Sequence, residues 1–265
     1  MQCQEEKQPT NMISSFRTLY ADSGVSILKD QDQTYEIRKL SWNEEGQTAY
    51  QRLRAKTFVH SLGWSIPIDE DGRERDRYDE GTAKGVSVHC VYKPSKMESY
   101  LLGGIRIFEL GGWNESMVTN EFHHNGMIPD SALDTLLKHY QHTSLLELTR
   151  FCILRDTSQL PLEVKKDFNK ALTRDYTYAT AYALAEKTGR RYALGITNFP
   201  FLRIAHRSHF VFEVIYSNFV SEKSGYALIT IDLPATVRAI QAAGQHERAN
   251  RMLALCQSPD WVNQG

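Results

Sequence analysis

Three carboxylates stand close together in the segment Glu74-x-Asp76-x-x-Asp79, which we call the acidic motif. At this spacing the negative charges repel one another unless they are solvated or face a cation. One interpretation is a solvated acidic loop, because arginines alternate with the carboxylates along the segment. The other is a binding site for a positively charged substrate. Calcium is disfavoured, because the ligand spacing and the glycine of an EF-hand loop are missing.

Glu147, Thr149 and Arg150 lie within Leu145–Leu154, a segment whose other residues are apolar. The segment predicts a buried strand, in which an unpaired charge is costly. Residues three apart in a regular strand face opposite sides of the sheet. A β-bulge between Glu147 and Arg150 would turn both side chains toward one cleft, and bulges are common beside active sites. The alternative is a strand that ends in solvent, which the apolar flanks disfavour.

Arg106 follows Gly103 and Gly104 within another apolar segment. Glycines inside a strand indicate a bulge or the close approach of another group to the backbone. An arginine at such a place is suited to bidentate binding of a carboxylate. The alternative is an edge strand on which Arg106 faces water.

The elements that must position these residues follow from hydrophobic periodicity and from helix caps. Strands are predicted at Tyr35–Leu40, Val86–Tyr92, Tyr100–Phe108, Leu145–Leu154, Tyr192–Thr197, Val211–Tyr216 and Tyr226–Ile231. Helices are predicted from the capping box Ser41–Glu44 to about Val59, at Ser131–Tyr140, between Pro161 and Gly189, at Phe199–Arg207 and from Pro234 to about Leu255. This order predicts one α/β domain over residues 34–265 with a mixed sheet. The polar residues 1–33 predict a loosely ordered N-terminal arm or one short helix.

Composition excludes several classes of protein. The chain has 265 residues with 31 Lys+Arg against 32 Asp+Glu, which is typical of a soluble globular protein and disfavours nucleic acid as a partner. No segment approaches the ~20 apolar residues that span a bilayer, and the first residues do not resemble a secretory signal, so we expect a cytoplasmic protein. The four cysteines lie far apart, which predicts reduced thiols and disfavours a zinc site.

Five features follow one another along the chain: Arg54-x-x-x-Phe58, Trp64, the acidic motif, Arg106 and Glu147-x-x-Arg150-Phe151. Over about residues 35–231 their order and spacing resemble the acyl-homoserine-lactone synthase family, the autoinducer synthases of bacterial quorum sensing. The resemblance implies a fold related to the GNAT acyltransferases. Such a fold has a mixed, largely antiparallel central sheet flanked by helices on both faces.

The resemblance also implies two substrates. One is S-adenosylmethionine, and the other is an acyl thioester of acyl carrier protein or, in some members of the family, of CoA. The methionine amine attacks the thioester and forms an amide. The carboxylate then attacks the γ-carbon, closes the lactone and expels methylthioadenosine. No further cofactor and no metal is expected.

The acidic residues fit this chemistry. Asp76 and Asp79 would stabilise the sulfonium and the α-ammonium of S-adenosylmethionine in a partly desolvated cleft. Glu147 or Glu74 would accept the proton of the amine, directly or through water. Backbone N–H groups at the bulge could bind the tetrahedral oxyanion.

The remaining binding residues also follow from the resemblance. Arg106 or Arg150 would hold the substrate carboxylate or the network of acidic residues. Further residues assigned to substrate binding, chiefly around the S-adenosylmethionine pocket, are Arg54, Phe58, Trp64, Thr149 and Phe151. Candidates for an apolar slot that takes the acyl chain are Leu148, Phe151, Ile153, Leu184 and Ile196, each of which is equally suited to the core.

Two features favour acyl carrier protein as the donor. The segment Arg155–Leu160 contains no glycine, whereas GNAT enzymes that use CoA commonly cradle its pyrophosphate in a glycine-rich turn. Lys166, Lys170 and Arg174 are spaced by four on a predicted helix and form one basic stripe, to which an acidic carrier could dock. A solvated helix face is the alternative.

Two other functions stay open. One is an N-acyltransferase that acylates another amine or amino acid and forms no lactone, and release of methylthioadenosine separates it from a lactone synthase. The other is a non-catalytic relative that binds S-adenosylmethionine or acyl chains. The presence of both Glu74 and Glu147 counts against a pure binder, which needs no base.

Overall fold

The computed structural model describes residues 25–29, 35–40, 46–80, 85–95, 98–154, 160, 162, 165, 170–219 and 225–256. The strands within these residues are β1 Val25–Lys29, β2 Tyr35–Leu40, β3 Gly85–Ser95, β4 Glu98–Glu109, β5 Leu145–Ile153, β6 Tyr192–Asn198, β7 Phe212–Asn218 and β8 Tyr226–Asp232. The α-helices are α1 Gly46–Ala55, α2 Asp130–His139, α3 Lys170–Thr188, α4 Phe199–Arg207, α5 Leu233–Ala242 and α6 His246–Cys256.

These strands form one sheet in the order β1-β2-β3-β4-β5-β6-β8-β7. Neighbouring strands are antiparallel, except that β5 and β6 are parallel. Helices cover both faces: Ile107 of β4 packs in a core with α3, α5 and α6, whereas its neighbour Phe108 packs with Leu136 of α2. The predicted architecture, a mixed and largely antiparallel sheet between helices, is confirmed.

The predicted N-terminal arm, residues 1–33, contains a strand that the sequence analysis did not predict. In β1, Val25 pairs with Lys39 and Lys29 pairs with Glu36, so the strand lies antiparallel to β2 at the edge of the sheet. The segment is too short for its own pattern to indicate a strand, and pairing with β2 decides its conformation. Residues 1–24 and the capping box Ser41–Glu44 lie outside the described residues.

Two predicted helices end differently in the structure. The helix predicted from Pro234 to about Leu255 is two helices, because Gly244 takes a left-handed backbone conformation with φ +76° between α5 and α6. The helix predicted to reach about Val59 ends as an α-helix at Ala55 and continues as a π-helix over Lys56–Ser61. Single turns of π-helix are frequent at functional sites.

β5 and β6 part soon after they meet. Their described ladder joins Leu145–Glu147 to Tyr192–Leu194. Beyond these residues β5 follows β4 and β6 follows β8. A cleft therefore opens in the middle of the sheet, and Glu147 stands at its apex.

The predicted β-bulge lies in β5 where it pairs with β4. Arg106 is opposite Thr149 and Gly104 is opposite Cys152, so β5 holds one extra residue over this stretch. Arg150 accommodates the extra residue with a φ of 57°, which is unusual for a residue with a side chain. The bulge turns Arg150 toward the face on which Arg106 lies, and this prediction is confirmed.

Tyr50 of α1 packs over the bulge. Its hydroxyl donates a hydrogen bond to the carbonyl oxygen of Arg150 at 2.7 Å. Its buried ring lies against Gly104, where a Cβ atom would come within 2.7 Å of a ring carbon. The close approach of the ring explains why a glycine stands in the middle of β4.

We expect Gly104→Ala to lower the free energy of unfolding by roughly 1–3 kcal/mol, the usual cost of overpacking a buried site. Urea unfolding measures the change. In the double variant with Tyr50→Leu, the alanine should cost clearly less than in the wild-type background, because the ring that it meets is gone. Equal costs in both backgrounds would show that the ring is not the reason for the glycine.

Candidate active site

Three arginines and three carboxylates form one ion-pair network at the face of the sheet that carries α1. Its members come from α1, the acidic motif, β4 and β5, and they are Arg54, Glu74, Asp76, Asp79, Arg106 and Arg150. Formal charges in the network therefore cancel. Buried charges are tolerated in proteins when they are paired in this way and hydrogen-bonded.

Arg54 is the fully buried centre of one half of the network. Its Nη1 and Nη2 donate to the two carboxylate oxygens of Asp79 at 2.8 and 2.9 Å. Its Nε donates to Glu74, which is equally buried. Burial lowers the pKa of Arg54, but the charges of Glu74 and Asp79 outweigh burial and leave this pKa above its ordinary value. Arg54 is therefore a charged strut that ties α1 to the acidic motif.

Arg106 is the centre of the other half. It binds Asp76 in a bidentate fashion at 2.7 and 2.8 Å and donates to Asp79 at 2.9 Å. Its Nε donates to Thr149 Oγ1 at 3.0 Å, and Nη2 lies 3.2 Å from the sulfur of Met117. These contacts occupy all five N–H groups of the guanidinium. Of the two roles expected for Arg106, the geometry favours holding the acidic network over binding a substrate carboxylate.

Arg150 and Asp76 form the open side of the network. Their side chains are 10% and 12% exposed, and Arg150 Nη2 lies 3.0 Å from an oxygen of Asp76. The same nitrogen lies 3.0 Å from Glu74 Oε1. The Arg150 guanidinium also lies 5.9 Å from the ring centre of Phe58, which stacks on Trp64 at a centroid distance of 5.1 Å. A pocket beside the open side would therefore have an aromatic wall.

The acidic motif differs from one of its two sequence-based interpretations. It is not a solvated loop, since Glu74 and Asp79 are buried, and the arginines that neutralise them come from other elements. The interleaved Arg73 pairs instead with Asp69 and Asp71 at the surface. The three arginines of the network balance the charge of the motif, and its role in binding a substrate cation stays a prediction.

Asp76 shows the electrostatic effect of this pairing. Burial raises the pKa of its carboxyl group, but the hydrogen bonds and charge of Arg106, with those of Arg150 and Arg54, lower it well below the ordinary range. The backbone N–H of Tyr78 adds a further hydrogen bond at 3.0 Å. Asp76 is therefore ionised throughout the physiological pH range and is unsuited to act as a base.

Glu147 is the buried carboxylate outside the network on the same face of β5. It accepts hydrogen bonds from the backbone N–H groups of Met117 and Val118, each at 3.0 Å. Burial raises the pKa of Glu147 to about 7, although the Ser116 hydroxyl, these two N–H groups and the charge of Arg106 act in the opposite direction. A carboxyl group with such a pKa exchanges protons readily at neutral pH, as a general base must.

The other predicted residues fall in different places. Phe151 lies on the opposite face of β5 and meets Phe201 of α4 edge-on at 5.7 Å, so it is not part of the network. Lys166 and the side chain of Lys170 lie outside the described residues. Arg174 contacts Asp175, its neighbour on α3, at 3.2 Å. The basic stripe therefore stays a prediction, and Arg174 is engaged within its own helix.

Sequence reasoning missed two parts of the site. These are Tyr50 and the backbone groups of Met117 and Val118, the second of which begins a π-helix over Val118–His123. None of them belongs to a motif, and only their place in the fold brings them to the site. Among the described residues there is no group of three or more side chains that could hold a metal ion. Within the same residues, no helix has the length and apolar character needed to cross a membrane.

Comparison with known proteins gives a family and a fold. The model of the family described as autoinducer synthase matches residues 40–240, which is most of the chain. Among curated protein sequences, none matches.

Solved structures with the same fold include three proteins of low identity to this chain. TofI in a ternary complex with an inhibitor and MTA is 19% identical, with a TM-score of 0.54 over 78% of this chain and 96% of TofI. BjaI, a CoA-dependent acyl-homoserine lactone synthase solved with SAM and isopentyl-CoA, is 20% identical, with a TM-score of 0.54 over 78% of this chain and 89% of BjaI. FeeM, an N-acyl amino acid synthase from uncultured soil microbes, is 15% identical, with a TM-score of 0.53 over 77% of this chain and 95% of FeeM.

We expect Arg54→Met to lower the free energy of unfolding by about 3–5 kcal/mol, because it removes the buried cation that Glu74 and Asp79 share and leaves three carboxylates facing two arginines. Arg73→Met is the matched control. It removes an arginine from a surface ion pair and should cost less than about 1 kcal/mol. Denaturant unfolding of both variants measures the difference, and similar costs would contradict a buried network.

Glu147 should give the stability of the protein a characteristic dependence on pH. Its pKa is about 7 in the folded protein against 4.5 in the unfolded chain, so the folded state binds the proton more tightly. The contribution of this group to the free energy of unfolding therefore falls as pH rises from about 4.5 to about 7 and is constant above that. Between about pH 5 and pH 8, wild type should lose roughly 2 kcal/mol relative to Glu147→Gln. Parallel pH profiles of the two proteins would show that Glu147 has an ordinary pKa.

Proposed function

The chain belongs to the autoinducer synthase family of acyltransferases, and we propose that it makes an acyl-homoserine lactone, a quorum-sensing signal, from S-adenosylmethionine and an acyl thioester. The observation that carries this proposal is the position of Glu147. This buried carboxyl group, with its pKa of about 7, stands where β5 and β6 part and faces the side of the ion-pair network. A base at this point can meet an amine from one side and an acyl carbonyl in the cleft from the other.

The proposed mechanism begins with Glu147. Its carboxylate takes a proton from the α-ammonium of S-adenosylmethionine, directly or through water, and the free amine attacks the thioester carbonyl. The oxyanion that forms is stabilised by backbone N–H groups beyond Glu147, where β5 has left its ladder with β6. Collapse of the intermediate expels the thiolate and leaves an amide. The methionine carboxylate then attacks the γ-carbon, and methylthioadenosine leaves as a neutral thioether.

Glu74 is the less suitable base. It is fully buried, and its two carboxylate oxygens are already paired with Arg54 and Arg150. A base in this position would need to give up its ion pairs in order to take a proton. We therefore assign the proton transfer to Glu147 and a positioning role to Glu74.

The open side of the ion-pair network supports a site for S-adenosylmethionine. Trp64 is 40% exposed and stacks on Phe58, so its free face can pack against an adenine ring. Arg150, beside this wall, is the arginine of the network that reaches solvent and can bind the substrate carboxylate. The Thr149 hydroxyl accepts a hydrogen bond from Arg106, so Thr149 contributes to the site indirectly, by holding that arginine in place.

Partly buried apolar side chains on the other side of β5 support a site for the acyl chain there. Leu148 and Phe151 are only partly buried, and they pack beside Phe201 and Leu202 of α4. Ile153 is also partly exposed, whereas Ile196 packs with Phe108 and Leu136 in the core on the opposite face of the sheet. Leu184 is buried in the core and is a poor candidate for this lining. Partly exposed apolar side chains along an opening in the sheet are typical of a lipid-like ligand site.

We infer that the acyl donor is acyl carrier protein, because no glycine-rich turn for a pyrophosphate follows β5 in the sequence. BjaI, which has the same fold, is described as CoA-dependent, so the fold itself does not decide the donor. S-adenosylmethionine and acyl thioesters are metabolites of the cytoplasm, and we propose that compartment for the reaction.

A second candidate function is supported by the likeness to FeeM. An N-acyl amino acid synthase would use the same base and the same acyl cleft, but it would stop at the amide. The two functions differ in one product, since lactone closure releases methylthioadenosine and simple N-acylation releases none.

The test is an assay of the purified protein with S-adenosylmethionine and a panel of acyl thioesters on carrier protein and on CoA. We expect an acyl-homoserine lactone and an equal amount of methylthioadenosine by mass spectrometry, with the carrier-bound donors used more efficiently. Glu147→Gln and Arg150→Ala should each lower turnover by about 100-fold or more. Asp134→Asn, a change at an exposed position on α2, is the control and should leave turnover unchanged.

The outcomes separate the candidates. An N-acylated amine without methylthioadenosine would favour the second function. Preference for CoA donors would overturn the assignment of the donor alone. Turnover near the wild-type value in Glu147→Gln would overturn the assignment of the base.

A further inference from the structure

The ion-pair network leaves a charge unaccounted for in the proposed reaction. S-adenosylmethionine brings a sulfonium and an α-ammonium to the site, but the carboxylates of the acidic motif are already neutralised by arginines. Glu147 lies at the cleft apex and is needed for proton transfer. A cation that enters a partly desolvated cleft needs a negative partner of its own. Such a partner would be a carboxylate near the open side of the network that has no strong ion pair of its own.

Glu121 is such a carboxylate. It lies in the π-helix Val118–His123, directly after the two backbone N–H groups that hold Glu147. Within the described residues its side chain accepts no hydrogen bond. The nearest cation is Arg77, whose Nε is 3.6 Å from Glu121 Oε1. That distance is too long for a hydrogen bond, and the Arg77 side chain is 59% exposed, so this contact is a weak surface pair.

Glu121 lies beside the open side of the network, because its Oε1 is 3.6 Å from the Nε of Arg77, the residue that follows Asp76 in the acidic motif. The Glu121 side chain is 28% exposed, so it can contact a ligand. It is also buried enough for neighbouring charges to affect its pKa. Burial raises its pKa, the charge of Asp76 raises it further, and Arg150, Arg77 and Arg106 lower it. Asp76 and Arg150, the two members of the network that reach solvent, are thus among the charges that Glu121 senses. The net effect disfavours the ionised form, and a bound cation would reverse it.

We infer that Glu121 recognises the cationic end of the substrate, its sulfonium or its α-ammonium. The inference rests on the proposed function, because it takes the substrate from there. Glu121 acts in binding and not in proton transfer, since Glu147 fills that role. In this arrangement the substrate lies between an aromatic wall of Phe58 and Trp64 and a carboxylate on the π-helix.

Binding measurements with three adenosyl compounds test the inference. S-adenosylmethionine carries both positive charges, S-adenosylhomocysteine carries the α-ammonium alone, and methylthioadenosine carries neither. Isothermal titration calorimetry is carried out on wild type, on Glu121→Gln and on Asp134→Asn, which removes an exposed carboxylate from α2. We expect Glu121→Gln to weaken binding of S-adenosylmethionine by about tenfold or more, as for loss of a charge-assisted contact. Binding of methylthioadenosine should be unchanged, and Asp134→Asn should bind all three compounds as wild type does.

The pattern across the compounds identifies the charge. Weaker binding of S-adenosylmethionine alone assigns Glu121 to the sulfonium, and weaker binding of S-adenosylhomocysteine as well assigns it to the α-ammonium. An equal loss for methylthioadenosine would reveal a disturbed pocket and overturn the inference, as would unchanged binding of all three. In turnover, Glu121→Gln should raise the KM for S-adenosylmethionine while kcat and the KM for the acyl donor stay near their wild-type values.

Failure of the inference is distinguishable from failure of the proposed function. If wild type makes the lactone and Glu121→Gln binds S-adenosylmethionine as tightly, the inference alone is wrong. If wild type binds none of the three compounds and makes no lactone, the proposed function is wrong and the inference falls with it.

Discussion

The pairing of three guanidinium groups with three carboxylates is the interaction on which the rest of the site depends. Each charge would be very costly to bury alone, and together they are stable because every one has an opposite neighbour at hydrogen-bond distance. The network fixes the end of α1, the acidic motif, β4 and β5 against one another. Through Arg106 it also reaches Met117, whose backbone N–H holds Glu147.

The site joins two environments that meet at one carboxyl group. On one face of β5 lie the charged network and the aromatic pair of Phe58 and Trp64. On the other face lie partly buried apolar side chains beside α4. Glu147 stands where the ladder between β5 and β6 ends. In the proposed reaction, the amine on the polar side and the acyl group in the opening would meet beside Glu147.

Local patterns in the sequence were sufficient for most of the fold. Periodicity and caps located the strands β2 to β8 and the helix α4, and buried charges inside an apolar strand predicted the bulge at Arg150. β1 was missed because an edge strand of five residues owes its conformation to pairing with β2. The break at Gly244 was missed because a single glycine in a periodic segment is compatible with either one helix or two.

The residues of the site were easier to predict than their partners. Spacing identified the acidic motif and the arginines as chemically important, and the structure brings them together. It did not reveal that these two sets neutralise each other, because ion pairs between residues 20 to 74 positions apart depend on how the chain folds. The N–H groups of Met117 and Val118 belong to no pattern, and only the tertiary structure shows that they hold Glu147.

The closed charge balance of the network limits how this protein can evolve. Arg54 serves Glu74 and Asp79 together, and Asp79 serves Arg54 and Arg106 together, so no member belongs to one partner alone. A change of charge at any one position leaves others unmatched, and a lineage could cross that gap only by altering several positions in concert. New substrate preferences are therefore expected to arise at the rim, where Trp64 and Glu121 meet solvent and a substitution breaks no buried ion pair.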